Sequence, residues 1–248
     1  MSLSVTVLGC SGVFQTREQA ASGFLIEIDA GRWLMDAGGG TWRNLLDHVD
    51  YRDVDGVLLS HRHSDHTIDI LQLFHARHYG DIEAPLTKIP LWAPQETIDR
   101  LLAFEESLAE SFDVVPIDQN SEISFGRARV TFARMKHPPV PLGVRIEYGD
   151  GAFAYSADSG IEGDFEALAR GAQVLVCEAT VQDEDEPWWG HLSASGAGSI
   201  AARYGVDRLV LTHLRPGCDR ELSLQQARRA APGIEVELAT AGLRLEVG

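Results

Sequence analysis

Residues 57–66 read Val57-Leu58-Leu59-Ser60-His61-Arg62-His63-Ser64-Asp65-His66. The apolar start of this segment predicts a strand, and four side chains that can bind metal follow it within six positions. Imidazole and carboxylate groups are ligands that a divalent ion such as zinc accepts, at about 2.0–2.2 Å. Because residues two apart in an extended loop project to the same side, His61 and His63 can share one ion. Asp65 and His66 then turn toward a neighbouring position, which predicts a second ion.

Three more candidate ligands lie further along the chain. Each comes just past the C-terminal end of a predicted apolar strand: His137, Asp158 and His213. Since α/β sheets place their sites at these strand ends, we expect the three side chains to meet the histidine-rich segment. Three other histidines fall within helical patterns, and we interpret them as structural or surface residues: His48, His75 and His78.

Short apolar, β-branched segments alternate with helical patterns along the chain. The predicted strands are 3–9, 23–28, 32–36, 55–60, 88–93, 128–134, 142–148, 151–156, 173–178, 208–212, 234–238 and 242–246. The predicted helices are 42–49, 66–79, 95–110, 163–170, 193–204 and 221–231, with Ser193 as an N-cap. No internal repeat or low-complexity linker interrupts the pattern. We therefore expect residues 1–248 to form a single α/β domain.

The composition is typical of a globular protein with an acidic surface. Of the 248 residues, 44% are hydrophobic, which is enough to fill a core, and the formal net charge is −16. A field of this sign repels long polyanions, so extended nucleic acid is a disfavoured partner. The apolar stretches are too short to cross a bilayer, and the three cysteines have no paired spacing that would indicate disulfides. We therefore expect a cytoplasmic protein with no membrane partner.

The histidine-rich segment resembles the signature of the metallo-β-lactamase superfamily, and the resemblance extends over essentially the whole chain. The family's HxHxDH motif is matched by His61, His63, Asp65 and His66. The resemblance implies a four-layer αββα sandwich with two divalent metal ions at one edge of the two sheets, zinc first and manganese as the alternative. It further implies one ion on His61, His63 and His137, a second ion on Asp65, His66 and His213, and Asp158 bridging the two.

Asp36 matches another family position. It lies in Leu34-Met35-Asp36-Ala37-Gly38 and corresponds to an early aspartate that supports the metal-binding loop without being a ligand. A polar residue that opens the glycine-rich turn after a strand is an equally good interpretation of Asp36.

Motifs outside the ligand set resemble the ribonuclease Z branch of the family. Ser156-Ala157-Asp158-Ser159 resembles that branch's Ser-x-Asp-Thr turn, and Cys177-Glu178-Ala179-Thr180 resembles its His-Glu-Ala-Thr motif without the first histidine. Gly190-His191-Leu192-Ser193-Ala194 resembles its His-Ser-Thr-Ala motif. The segment His213-Leu214-Arg215-Pro216-Gly217-Cys218-Asp219 instead resembles bacterial cyclic-nucleotide-type phosphodiesterases of the same superfamily.

This branch implies phosphodiester hydrolysis, in which a hydroxide held between the two ions attacks phosphorus in line. The leaving alkoxide then needs a proton, which His191 can donate while the carboxylate of Glu178 holds it in its protonated form. The candidate catalytic residues are therefore Asp65, His191 and Glu178. In the structural alternative, Glu178 caps a loop and His191 only begins a helix.

Two features bear on the size of the substrate, and both favour a small anionic ester. The acidic run 183–186 precedes Trp188-Trp189 and His191, so it is expected at the mouth of the site. The long basic arm of the tRNA-processing enzyme has no counterpart between Asp81 and Val130. The two tryptophans can stack on a nucleobase, but a hydrophobic lid or a dimer contact is the simpler interpretation. A homodimer is implied only by the family resemblance.

The leading hypothesis is a phosphodiesterase for cyclic nucleotides or similar small diesters. Within the branch the alternative is tRNA 3′ processing, which the net charge and the missing arm disfavour. A lactonase or thioesterase is the third hypothesis, since the same chemistry attacks a carbonyl carbon but need not use Glu178 and His191. A non-catalytic or redox role is the fourth, and His63 disfavours it because diiron members usually have glutamate at that position.

Overall fold

Two mixed β-sheets lie face to face in the computed structural model, which describes residues 3–80 and 86–248. The strands, in chain order, are β1 (Leu3–Gly9), β2 (Gly23–Ile28), β3 (Gly31–Ala37), β4 (Gly56–Leu58), β5 (Ile89–Ala93), β6 (Phe112–Pro116), β7 (Glu122–Phe125), β8 (Ala128–Arg134), β9 (Leu142–Tyr148), β10 (Gly151–Tyr155), β11 (Val174–Glu178), β12 (Arg208–Thr212), β13 (Glu235–Leu238) and β14 (Arg244–Val247). Within these described residues the first sheet has the order β14-β1-β2-β3-β4-β5-β6 and the second the order β13-β12-β11-β10-β9-β8-β7.

Helices cover the outer face of each sheet. They are α1 (Thr41–Leu45), α2 (Ser64–Thr67), α3 (Ile70–Tyr79), α4 (Gln95–Phe104), α5 (Phe165–Ala169), α6 (Ala194–Tyr204) and α7 (Arg220–Ala230). Phe74 on α3 joins one apolar layer with Leu25 of the first sheet, and Phe165 on α5 joins another with Leu175 of the second. The layers therefore run helix, sheet, sheet, helix, which confirms the expected αββα sandwich. Among the helices in the described part of the chain, none combines the length and the apolar character needed to cross a bilayer.

Central strands such as β10 and β11 are apolar on both faces because each sheet is covered on both sides. In β2, Phe24 and Ile26 point into the core between the sheets, whereas Leu25 points toward the helices. In β10, Phe153 and Tyr155 occupy the same central core. Successive side chains of a strand alternate between faces, so a strand buried on both faces has no polar residue to mark its period. This is why the sequence shows these strands as short continuous apolar runs.

Strand direction brings the candidate ligands to one edge of the sandwich. β10, β11 and β12 are parallel, and β8 runs the same way because both β8 and β10 are antiparallel to β9. In the first sheet β3 and β4 are also parallel. The C-terminal ends of these strands, and the loops that follow them, therefore lie together.

Several predicted boundaries were wrong. Strands β6 and β7 were not predicted, because both are edge strands with exposed side chains and lack an apolar run. Predicted helix 66–79 is two helices, since the backbone N–H of Asp69 donates to the Ala37 carbonyl between α2 and α3. Predicted helix 42–49 ends at Leu45, and predicted helix 95–110 ends at Phe104 and continues as a 3₁₀ turn. Of the segment that lacks a basic arm, residues 81–85 lie outside the described residues.

Candidate metal centre

The seven predicted ligands lie together at this edge of the sandwich. His61 and His63 lie in the loop after β4 and Asp65 and His66 lie on α2, while the others follow β8, β10 and β12: His137, Asp158 and His213. Their ligand atoms form two groups, in each of which all the atoms are within 4.8 Å of one another. The first group is His61, His63, His137 and Asp158, and the second group is Asp65, His66 and His213.

In the first group three imidazole nitrogens converge. Nδ1 of His63 lies 3.1 Å from Nε2 of His61 and 3.3 Å from Nε2 of His137. Oδ2 of Asp158 completes the group at 3.5 Å from Nε2 of His61 and 3.8 Å from Nε2 of His137. Ligands about 2.0–2.2 Å from a tetrahedral ion lie about 3.3–3.6 Å from one another, so this spacing suits one ion.

The second group meets the other oxygen of the same carboxylate. Oδ2 of Asp65 lies 3.2 Å from Nε2 of His213 and 3.8 Å from Nε2 of His66. Oδ1 of Asp158 lies 3.1 Å from Nε2 of His66 and 3.3 Å from Nε2 of His213. Asp158 therefore presents one oxygen to each group, which is the placement that a carboxylate shared by two ions requires.

Hydrogen bonds outside the two groups fix which nitrogen four of the five histidines present. Nδ1 of His137 lies 2.7 Å from the Gly190 carbonyl, and Nδ1 of His66 lies 2.8 Å from Oδ2 of Asp36. Both partners only accept, so each Nδ1 carries the proton and donates it. Nε2 is then left as the free ligand atom facing the centre, as metal-binding histidines usually present it.

Hydroxyl groups do the same for two of the other three histidines, His61 and His213. Ser60 donates its hydroxyl proton to Asp36 at 2.9 Å and accepts from Nδ1 of His61 at 3.0 Å. Thr180 donates to Oε2 of Glu178 at 2.7 Å and accepts from Nδ1 of His213 at 2.8 Å. Nε2 of each of these histidines is therefore the nitrogen that faces the centre.

The residues present fit bound cations. Within the described residues, Nε2 of His66 and Oδ1 of Asp158 are buried and have no hydrogen-bond partner. Buried polar atoms are almost always satisfied, but Nδ1 of His63 can donate at most one proton and faces two imidazole nitrogens at 3.1 and 3.3 Å. A divalent ion in each group would satisfy these atoms with the nitrogen and oxygen ligands that zinc accepts.

Asp36 supports the centre through hydrogen bonds to His66 and to residues next to other candidate ligands. It is fully buried, and Oδ1 accepts from the backbone N–H of Ser60 at 2.8 Å. Oδ2 accepts from His66, from the Ser60 hydroxyl and from the Tyr155 hydroxyl, which lies 2.9 Å away. One carboxylate thus holds the start of the histidine-rich loop, one histidine of the second group and a residue of the opposite sheet. This arrangement agrees with the supporting role and not with a simple turn residue.

Left-handed backbone is concentrated at this centre. Five non-glycine residues in the described part of the chain have positive φ, and three of them are Asp36 at 54°, Ala157 at 51° and His213 at 55°. The left-handed conformation costs a residue with a side chain about 1–2 kcal/mol. Asp158 follows directly after Ala157, so the turns that aim Asp158 and His213 are strained backbone held by the surrounding structure.

A histidine and a carboxylate that are hydrogen-bonded to each other lie beside the two groups. Nδ1 of His191 is 2.6 Å from Oε1 of Glu178, which is fully buried at the end of β11. Glu178 also accepts from the backbone N–H groups of Ser159, Thr180 and Leu192. His191 is close enough to Asp158 and His213 that one ligand atom from each would lie within 4.8 Å of the others. The pair is thus rigidly held and within reach of a group bound at the centre.

Trp188 and Trp189 form part of the rim. They are 42% and 57% exposed, and the Trp188 ring lies 4.7 Å from the His191 ring and 5.4 Å from the His137 ring. A cavity of about 580 Å³ adjoins them, which we call the Trp188 cavity. Its walls include Ile161, Val181, Asp183, Trp188, His191 and Leu192. The cavity opens directly onto His191.

The acidic run lies at this cavity, as expected from the sequence. Asp183 and Asp185 both line it. Asp183 accepts from the Ser195 hydroxyl at 2.7 Å, and Asp185 forms an ion pair with Arg215 at 3.1 Å. The two carboxylates are therefore fixed in place and give the cavity a negative charge.

Residues 22–214 match the family description "Beta-lactamase superfamily domain". The chain belongs to this superfamily. An uncharacterized protein of Mycobacterium tuberculosis is 35% identical over 243 residues, which cover 94% of this chain and 88% of that protein.

Two relatives with functional names support hydrolytic chemistry. The probable metallo-hydrolase YhfI of Bacillus subtilis is 28% identical over 242 residues, covering 97% of this chain and 98% of that protein. Its crystal structure superposes with a TM-score of 0.90 at 27% identity, covering 99% of each chain. A ribonuclease Z of Methanopyrus kandleri is 27% identical over 288 residues, covering 99% of this chain and 98% of that protein. These relatives, together with the histidine and aspartate groups described above, identify the chain as a metal-dependent hydrolase.

Sequence patterns did not reveal every residue that this hydrolase uses to hold the centre. Ser60, Tyr155 and the Gly190 carbonyl each bond a candidate ligand or Asp36, and none was predicted to do so. A serine that ends an apolar strand is a weak signal for Ser60. Tyr155 resembles any other aromatic residue of the core, and a backbone carbonyl has no sequence signal at all.

The histidines of the two groups differ in pKa, so they differ in whether a proton must leave before a metal ion binds. Burial lowers the pKa of His61 and His137, and it lowers the pKa of His63 to about 4, so the three histidines of the first group are neutral at pH 7. Burial acts in the same direction on His66 and His213, but neighbouring carboxylates together outweigh it and raise the pKa of both: Asp158 and Asp36 act on His66, and Asp158 and Asp65 act on His213. Metal ions bind neutral imidazole, so the second group must release protons when it binds.

We expect this difference to appear in metal titrations of the metal-free hydrolase between pH 6.5 and 8.5. The affinity of the first group should change little with pH, while that of the second should rise about tenfold per pH unit for each proton released. Calorimetry in buffers of different ionisation enthalpy counts the protons released in each step. Equal proton release in both steps would contradict the assignment.

Proposed function

We propose that this chain is a dinuclear-metal-dependent phosphodiesterase that acts on small phosphodiesters such as cyclic nucleotides. The observation that carries the proposal is the His191–Glu178 pair, with a 2.6 Å hydrogen bond, directly beside two groups of metal-binding atoms. Hydrolysis of a thioester at such a centre does not need a separate proton donor of this kind, because a thiolate leaves readily. Cleavage of an unactivated phosphodiester does, because its leaving group is a basic alkoxide.

The proposed ligands are those of the two groups. His61, His63 and His137 would hold one ion, Asp65, His66 and His213 would hold the other, and Asp158 would be shared between the two sites; zinc suits this set of nitrogen and oxygen ligands. When bound, the two ions lower the pKa of a water molecule and offset negative charge that develops on the phosphoryl oxygens. Because both sheets contribute ligands, we propose that the chain, residues 1–248, acts as one catalytic domain.

The proposed role of His191 is to give a proton to the leaving oxygen. Glu178 accepts from Nδ1 of His191, so Nε2 is the atom left to face the substrate. Glu178 is itself fixed by three backbone N–H groups and by Thr180, which also contacts His213. The donor and one ligand of the second group are thus positioned by the same threonine and carboxylate.

Charge supports a small substrate. The net charge is −16, and three basic side chains close to the centre are paired with acids: Arg62 with Glu96, Lys136 with Glu162 and Arg215 with Asp185. A surface that follows a polynucleotide needs basic side chains that are available to many phosphates. A cyclic diester carries one negative charge, which two divalent ions outweigh locally.

tRNA 3′ processing is the second candidate function, and the similarity to the Methanopyrus kandleri ribonuclease Z favours it. The two candidates differ in their dependence on salt. If the substrate is a small diester, kcat/KM should change less than about threefold between 50 and 200 mM salt, where multi-phosphate binders lose about a thousandfold or more in affinity.

A substrate panel decides between the candidates. The metal-loaded protein is offered cyclic AMP, cyclic GMP, bis(p-nitrophenyl) phosphate, a precursor tRNA and a homoserine lactone, and kcat/KM is compared at both salt concentrations. We expect the cyclic nucleotides to be cleaved best. Efficient cleavage of precursor tRNA alone, with steep salt dependence, would establish the second candidate, and hydrolysis of the lactone alone would overturn both.

A further inference from the structure

The Trp188 cavity lies next to the candidate centre but contains none of the metal-binding groups. It shares one wall with the centre through His191. At about 580 Å³ it has the size of a small-molecule site and far exceeds what a phosphoryl group needs. A substrate whose phosphorus lies at the centre therefore has room to place its non-phosphate part here.

The walls of the cavity are unsuited to a second phosphate. Asp183 and Asp185 both line it, and the ion pair with Arg215 neutralises only one of these two carboxylates. Another anionic group would be repelled. A carboxylate accepts hydrogen bonds at up to four lone-pair sites, so the same side chains can accept from N–H groups of a neutral ligand. The charge thus selects an uncharged group that carries hydrogen-bond donors.

The aromatic side chains add a preference for a flat group. Trp188 is 42% exposed although its ring already packs against His191 and His137, so part of the indole remains open to a ligand. Ile161, Val181 and Leu192 supply apolar surface around it. Indole rings stack on nucleobases, and a stacked base with exocyclic amino groups satisfies both the apolar surface and the carboxylates.

The segment that carries Trp188 is held at both ends. The Gly190 carbonyl accepts from His137, and a Cβ atom at Gly160 would lie 1.7 Å from the Trp189 carbonyl, so the two segments are in close contact. At the other end Asp185 is tied to Arg215. The tryptophan is therefore a fixed wall of the cavity, positioned relative to a candidate ligand.

We propose that the Trp188 cavity binds the nucleobase of a nucleoside phosphodiester, with Trp188 as the stacking surface and the Asp183 and Asp185 carboxylates as acceptors for its N–H groups. This rests on the proposed function, since it places the phosphorus at the metal centre. It limits the substrate to diesters of a single nucleoside that carry no further phosphate on the base side.

The test measures binding of adenosine, which has the base but no phosphate, to the metal-loaded protein by calorimetry. We expect saturable binding that Trp188→Ala weakens roughly ten- to a hundredfold and Trp188→Phe largely restores, as expected for loss of one stacked base. Phe104→Ala is the matched control, because Phe104 is an exposed aromatic side chain on α4 outside the cavity. It should bind adenosine like the wild type. Ribose, which lacks the base, should not bind.

Metal content and thermal unfolding of Trp188→Ala show whether the variant keeps its centre and fold. If it does not, Trp188→Phe and Trp188→Leu are compared instead, and a loss only in the leucine variant supports stacking. Absence of adenosine binding at 10-fold above the KM for cyclic AMP overturns the proposal, as does binding that Trp188 variants leave unchanged. Cyclic AMP hydrolysis by the wild type is measured separately, so failure of the base site with hydrolysis intact leaves the proposed function standing.

Discussion

Asp158→Ala is expected to remove both metal ions and to lower phosphodiester hydrolysis by roughly a thousandfold or more, because metal ions supply several kcal/mol of transition-state stabilisation. The reason is the position of its carboxylate, with Oδ2 facing the first group and Oδ1 facing the second. The imidazoles of His213 and His66 keep the pKa of Asp158 well below the usual range despite burial, so this carboxylate is ionised at neutral pH. No other described carboxylate is shared between the two groups.

Metal analysis by mass spectrometry, together with kcat/KM for a small diester, checks this expectation. Asp113→Ala is the matched control, since Asp113 is an exposed aspartate on β6 away from the centre. It should keep the wild-type metal content and activity. A variant at Asp158 that retained two ions per chain would refute the bridging role, and one that lost a single ion would assign Asp158 to one group only.

His191→Ala is expected to lower kcat for a cyclic nucleotide by roughly a hundredfold or more while metal content stays unchanged. The loss should be much smaller on bis(p-nitrophenyl) phosphate, because p-nitrophenolate leaves without needing a proton. His75→Ala removes an exposed histidine from α3 and serves as the control, with no expected change.

Two outcomes would contradict the role of His191 as proton donor. Equal losses on the activated and the unactivated substrate would indicate that His191 only supports the structure. Loss of a metal ion would indicate that His191 is a ligand, which its proximity to Asp158 and His213 makes geometrically feasible.

The ligand set could be predicted because chemistry and position both mark it in the sequence. His61, His63, Asp65 and His66 are too dense a cluster of ligand groups to be chance. Two of the three distant ligands, Asp158 and His213, follow strands that are apolar on both faces. The sequence could not predict the contacts of Ser60, Thr180 and Tyr155, since these depend on how two sheets meet. Tyr155 bonds Asp36 across 119 positions of the chain, and no local pattern encodes that pairing.

Predictions of individual helices and strands were wrong where tertiary contacts override local preference. The helical pattern over 66–79 continues without interruption in the sequence, yet the structure has a break at Asp69. The backbone N–H of Asp69 donates to the Ala37 carbonyl, and its carboxylate accepts from the backbone N–H of Trp42. β6 and β7 were missed because an edge strand faces solvent and need not be apolar. The α/β class was predictable, since the central strands are the most apolar parts of the chain, whereas the four-layer sandwich was implied by the family resemblance.

The spread of the candidate ligands, from residue 61 to residue 213 and across both sheets, has a consequence for how the molecule acquires activity. Neither sheet alone carries a complete group, because the first group joins His61 and His63 to His137 and Asp158. Contacts between segments so far apart must close long loops, and such contacts form slowly. During refolding, hydrolytic competence should therefore be the last property to return, well after secondary structure has formed.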